Sequence, residues 1–109
     1  MVQAMGLVEL IAAMREVDPD CSLQKMQVLC FVAACGDVGT DHMTIQQKLD
    51  IGKSHTSRIV ADWSELTADK KRGPALIESK VDPYNSRMRI VKLTPKGWDV
   101  VQKFTEVRL

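Results

Sequence analysis

The side chains able to do chemistry fall into two clusters. Lys53, Ser54, His55, Ser57 and Arg58 share one short stretch, and Arg87 and Arg89 stand two apart further along the chain. Hydroxyls, an imidazole and flexible cations in such density favour hydrogen bonding to a polar, anionic ligand over bond breaking. Catalysis finds little support elsewhere. His42 and His55 are the two histidines, and neither has a Cys or a second His at ligand spacing. Cys21, Cys30 and Cys35 contain no CxxC pair and lie close to no His, so no zinc site is expected. A glycine-rich phosphate loop, an HExxH motif and a nucleophile elbow are all missing. The expectation is a binding protein, not an enzyme, with no catalytic residue, metal or cofactor. Cys30 and Cys35 read as small buried hydrophobes in an apolar helical run. Cys21, beside a helix start, is the candidate for redox sensing, and His42 reads as a polar loop residue.

These clusters need elements to hold them. At 109 residues there is room for one domain, 1–109, and no stretch of eighteen apolar residues could span a membrane. No secretory leader is evident, and a cytoplasmic location is expected. Residues 3–17 read as a helix with Leu7, Leu10, Ile11 and Met14 at helical spacing. Met5, Val8 and Ala12 lie on another side, so the helix has more apolar arc than a single core contact needs. Asp18-Pro19-Asp20 ends it, and Ser22 caps a second helix over 23–35, with Met26, Leu29, Cys30 and Ala33 inward. Gly36 and Gly39 stop that helix. A short helix over 44–49, capped by Thr44, and a turn at 50–52 lead to a helix from Lys53. Its inward stripe is Thr56, Ile59, Val60 and Trp63, and Lys70-Lys71-Arg72 before Gly73-Pro74 extend it to residue 72.

Beyond Pro74 the periodicity changes to that of strands, over 75–81 and 88–93, joined by the turn formers of 82–86. Pro95 opens a last helix over 95–107, with Trp98, Val101 and Phe104 on its apolar side. This order gives the fold class: mainly α with a small β-hairpin, a winged helix-turn-helix spanning about 44–72 with its wing at about 75–93.

Charge is distributed unevenly along this frame. Residues 1–43 hold two cations against six acids, whereas residues 44–98 hold eleven cations against six acids. One face is therefore built for a polyanion. A helix-turn-helix sets the N-terminal side chains of its second helix against base edges in the major groove, which assigns that role to Lys53, Ser54, His55, Ser57 and Arg58. Arg87 and Arg89, facing one way on a strand with Lys80 nearby, would meet the phosphate backbone or enter the minor groove. Double-stranded DNA is the partner these two clusters point to.

The run Asp82-Pro83-Tyr84-Asn85-Ser86-Arg87-Met88-Arg89-Ile90-Val91-Lys92-Leu93-Thr94-Pro95-Lys96-Gly97 resembles the wing signature of MarR-type transcriptional regulators. Residues 46–60, with Ser57-Arg58-Ile59-Val60, resemble that family's helix-turn-helix, and the likeness covers roughly residues 23–104. The resemblance implies a winged-helix homodimer on a pseudo-palindromic operator, and a repressor is expected. The surplus apolar surface of helix 3–17 and the apolar stripe of helix 95–107 assign the dimer contact to these terminal helices. The resemblance also puts Arg87 on the family's minor-groove arginine and residues 53–58 on the base-reading turn. Asn85 stands where the family usually has an acid that pairs with that arginine. Some eight further residues, around 67–74, separate the recognition helix from the wing, and the C-terminal helical part is shorter. Two alternatives remain at this point: a winged helix used for protein contact, and a DNA-binding replication initiator of a plasmid or phage. No small-molecule effector can be named.

Overall fold

A computed structural model describes residues 2–19, 21–67 and 69–105. Among these residues, five α-helices and one hairpin follow in the order α1 (Val2–Val17), α2 (Leu23–Ala34), α3 (His42–Leu49), α4 (Lys53–Asp62), β1 (Ile77–Asp82), β2 (Asn85–Leu93) and α5 (Pro95–Thr105). A 3-10 turn, Gly36–Val38, follows α2. This is the architecture of a winged helix-turn-helix, as the element order predicts.

Helix α2 lies at the centre. Val28, Leu29 and Val32 are completely buried, and Met26 and Ala33 join them. The arc they define excludes Cys30, which is exposed, and leaves Cys35 half-buried. The two cysteines are thus not the buried pair expected from the apolar run. Ser22 caps α2 as anticipated, its Oγ accepting from the Lys25 amide at 3.2 Å. Helix α1 presents Gly6, Leu10 and Met14 to the core, four residues apart. Ile11, expected inward, is instead 41% exposed beside Val8. It lies one helical step off the line of small and flexible residues that fits against the core. The side chains of Met5, Leu7 and Phe104 lie outside the described residues.

The start of α3 differs from expectation. The cap is Asp41, whose carboxylate accepts from the Thr44 amide at 2.8 Å and from the Thr44 hydroxyl at 3.0 Å. A carboxylate satisfies the first amides and also meets the positive end of the helix dipole, which a threonine hydroxyl cannot do. His42 is consequently in the first turn of α3 and not in a loop. Asp50 closes the helix in a left-handed conformation, and Ile51 fills the core before α4 begins at Lys53.

Helix α4 also ends earlier, at Asp62. The cations of 70–72 would favour a helix C-terminus by only about 0.3–1 kcal/mol each. Against this, ending the helix lets the Trp63 carbonyl accept from the Leu76 and Ile77 amides, at 2.8 and 3.1 Å. It also buries Leu76 and Ile77 almost completely, about 1.5–3 kcal/mol for each side chain. Burial wins. Residues 64–67 and 69–75 link α4 to the wing, and Leu66 pairs with Arg72 across them.

The hairpin pairs Ile77 with Leu93 and Val81 with Arg89, then shifts register so that Asp82 meets Asn85. The turn is a tight Pro83-Tyr84, in which the Asp82 carboxylate accepts from the Tyr84 amide at 2.8 Å. Thr40 joins Val91 by two backbone hydrogen bonds of 2.8 Å, tying the wing to the segment that leads into α3. Gly39 reaches this position at φ +77°, where a side chain would strike the Val91 carbonyl. Thr94 closes the base: its hydroxyl donates to the Ala75 carbonyl at 2.6 Å and accepts from the Gly97 amide at 3.0 Å. Gly97 sits so close to the Leu76 carbonyl that a β-carbon would lie 2.1 Å from it.

Candidate nucleic-acid interface

Helix α4 has one sharply buried side. Thr56, Ile59, Val60 and Trp63 are all inside, as the spacing predicts. Trp63 fixes the helix on the core, since its Nε1 donates to the Lys25 carbonyl at 2.9 Å and the Lys25 ammonium lies 5.0 Å above its ring. Lys25 is held in turn by Asp18. With that side anchored, Lys53, Ser54, His55, Ser57 and Arg58 are all exposed on the other.

The wing comes to the same surface. A groove of about 640 Å³ is lined by Lys53 and Ser57 of α4, by Arg87, Met88 and Arg89 of β2, and by the first turns of α3 including Thr44, Gln46 and Gln47. Lys53 and Ser57 thus share one concave surface with Arg87 and Arg89, whereas Ser54, His55 and Arg58 line a separate shallow one on α4. Arg89 is locked onto its own hairpin, its Nε donating to the Ser79 hydroxyl and its Nη2 to the Ser79 carbonyl, both at 3.1 Å. Arg87 is exposed at the bulged end of β2, where the Asn85 side-chain oxygen accepts from its amide at 3.1 Å. Asn85, in place of an acid, thereby orders the backbone at Arg87 and leaves the guanidinium free of a carboxylate from that position.

Two expectations for the wing need correction. Lys80 pairs with Ile90 and so belongs to the face opposite Arg89, which lies across from Val81. Regular strand alternation also does not by itself relate Arg87 to Arg89, because residues 86–88 fall in the irregularity between the pairs Val81–Arg89 and Asp82–Asn85. Their shared groove is what brings them together.

Sequence reasoning did not single out His42, Thr44, Gln46 or Gln47 for this surface. His42 lines both this groove and a second one beneath the wing, and its Nε2 is buried with no hydrogen-bond partner among the described residues. Burial pushes its pKa below the usual histidine value, and the Arg89 cation pushes the same way against a smaller opposing effect of Asp41. The signal that could have located it was Asp41 as a cap three residues ahead of Thr44, which moves the helix start to residue 42.

The cysteines lie apart from this surface. Burial raises the Cys21 thiol pKa, with Lys25 opposing and Asp18 adding to the rise, and the packing around its sulfur raises that of Cys30. Fewer thiolates at neutral pH disfavour a peroxide-reactive role. Among the described residues, no three His, Cys, Asp or Glu side chains gather to hold a metal ion. No helix there is long and apolar enough to cross a membrane.

No family model matches the sequence, and no curated protein matches it. Solved structures do. The Staphylococcus aureus MepR–DNA complex aligns at a TM-score of 0.67 and 20% identity, over 94% of this chain and 76% of that one. A cysteine-to-serine mutant of Escherichia coli MarR, complexed with operator DNA, aligns at 0.65 and 14% identity, over 96% of this chain and 64% of that one. The transcriptional regulator Tm0710 from Thermotoga maritima aligns at 0.63 and 21% identity, over 97% of this chain and 63% of that one. The chain therefore has the winged-helix fold of MarR- and MepR-type transcriptional regulators, and it spans about two thirds to three quarters of their length.

Proposed function

We propose that this protein is a sequence-specific double-stranded DNA-binding transcriptional regulator that acts as a homodimeric repressor in the cytoplasm. The observation that carries the reading is the groove that unites Lys53 and Ser57 of α4 with Arg87 and Arg89 of the wing. A convex helix with exposed donors beside a basic hairpin matches the width of a major groove and its flanking phosphates. MepR and MarR, which share the fold, were solved with DNA bound. In the proposed docking, the N-terminal turns of α4 read base edges and Arg87 follows the backbone or the minor groove. The exposed donors do binding work, with no catalytic step. A surface of this charge has little reason to serve as a neutral protein-docking face.

Selection of bound sites from a random DNA library, followed by gel shifts at two salt concentrations, tests this reading. A two-fold symmetric consensus with salt-dependent affinity is the expected result. Failure to enrich any sequence, with no shift at low salt, would overturn it.

A further inference from the structure

The loop that interrupts α4 from the wing has an unexplained chemistry. Lys70, Lys71 and Arg72 follow one another, all exposed, and the ion pairs among the described residues involve none of them. Adjacent like charges repel, and a polyanion relieves that repulsion.

The loop is built to stay in place. The Gly73 amide donates to the Glu65 carbonyl at 2.7 Å, and the Ala75 amide to that of Ser64 at 3.3 Å. The Thr67 amide donates to the Lys71 carbonyl at 2.8 Å, while the Thr67 hydroxyl accepts from the Lys71 amide at 3.2 Å. Lys70 is held at φ +64°, a left-handed conformation that lysine rarely adopts. The base of the loop continues directly from Trp63 at the end of α4.

Its position follows from the helix. Successive residues turn by about 100° around the axis. Lys53 and Ser57, which share a groove with the wing, therefore mark one edge of the exposed arc. Ala61, Ser54, Arg58, Asp62 and His55 follow across the arc, with His55 at its other edge. Arg58 Nη2 lies 3.4 Å from the Asp69 carboxylate, which places Asp69 against the exposed face of α4. Ser64, Glu65 and Leu66 at the base of the loop line a groove together with Ser57 and Ala61 of α4 and Ser79 and Arg89 of the wing.

We propose that residues 69–72 are a second phosphate-binding element, in which Lys70, Lys71 and Arg72 grip the duplex backbone beside the exposed face of α4. The proposal rests on the DNA-binding reading above and adds a contact that the paired clusters do not supply. Its ligand is the phosphodiester backbone, so the contact adds affinity without base preference.

The test compares three full-length proteins on one selected duplex across a salt series: wild type, the variant Lys70→Gln, Lys71→Gln, Arg72→Gln, and the charge-conserving variant Lys70→Arg, Lys71→Arg, Arg72→Lys. Thermal melts establish that each is folded. Neutralisation is expected to lower the salt slope by about two to three per bound protomer. It should also weaken binding on the order of a hundredfold at about 0.1 M salt. The charge-conserving variant should keep both the slope and the affinity, and the order of preferred sequences should not change in either. If wild type binds and the neutral variant keeps its full salt slope, the loop contact is wrong while the DNA-binding reading stands. If the conservative variant loses as much as the neutral one, shape and not charge is responsible, and the proposal is again wrong. Wild type that binds no duplex even at low salt overturns both.

Discussion

Lys53 and His55 occupy the first turn of α4, where side chains project toward whatever the helix end enters, whereas Arg87 sits at the bulged end of the wing. The difference in place predicts a difference in role. Replacing Lys53 or His55 with Ala should cost about 1–3 kcal/mol on the preferred site and much less on random DNA. Arg87→Ala should weaken specific and random DNA by similar factors and lower the salt slope by about one. An Arg87→Ala protein with unchanged affinity for random DNA, together with Lys53→Ala and His55→Ala proteins of unchanged specificity, would refute the docking. His42 supplies a second prediction at this scale. Its folded-state pKa lies below the unfolded value of about 6.5, so the unfolded chain binds its proton first as the medium is acidified. The stability that His42 contributes is complete above that value and is lost as pH falls toward its depressed folded-state pKa. Urea titrations between about pH 7.5 and 5 should show stability declining in wild type and declining less in His42→Gln. Parallel curves for the two proteins would remove His42 as the cause.

At the scale of elements, Trp63 is the joint of the molecule. It is wholly buried, donates to α2 through the Lys25 carbonyl, and accepts from the first residues of the wing through its own carbonyl. Trp63→Ala should cost about 3–5 kcal/mol in chemical denaturation. Trp63→Phe keeps most of the apolar volume but removes the indole hydrogen bond to the Lys25 carbonyl, which still accepts within α2, and should cost about 0.5–1.5 kcal/mol for that bond. A loss below about 1 kcal/mol for the alanine variant would contradict the packing described. Other joints are backbone contacts: Thr40 with Val91, and Thr94 with Leu76 and Ala75. Together they fix the wing relative to α3 and α4, which is why Lys53 and Ser57 can act as one surface with Arg87 and Arg89.

At the scale of the whole molecule, α1 packs against α5 and still leaves Val8 and Ile11 exposed, 58% and 41%, with Ala12 beside them. A second copy of the chain is the proposed cover. Deleting residues 1–16 would also strip Leu10 and Met14 from the core, so point changes make the sharper test. Val8→Lys with Ile11→Lys should yield a folded monomer by sedimentation equilibrium, with wild type dimeric at micromolar concentration. A monomeric wild type would dispose of the homodimer. Much of this molecule was legible in its sequence because the informative signals are local. Helical spacing placed Thr56, Ile59, Val60 and Trp63 inside α4, Pro95 marked the start of α5, and the clusters at 53–58 and 87–89 declared their chemistry by residue type. Three things required the tertiary structure. Helix α4 stops at Asp62 because burying Leu76 and Ile77 outweighs the dipole contribution of cations ten residues on. Lys80 leaves the basic face because register, set by pairing with β2, decides which side of the hairpin each residue takes. His42 and the loop at 69–72 meet the candidate interface only through contacts between elements, Arg89 in one case and Arg58 in the other. Periodicity and residue type act over a few positions of the chain, whereas burial, register and cross-chain pairing are settled only when distant segments compete for the same core.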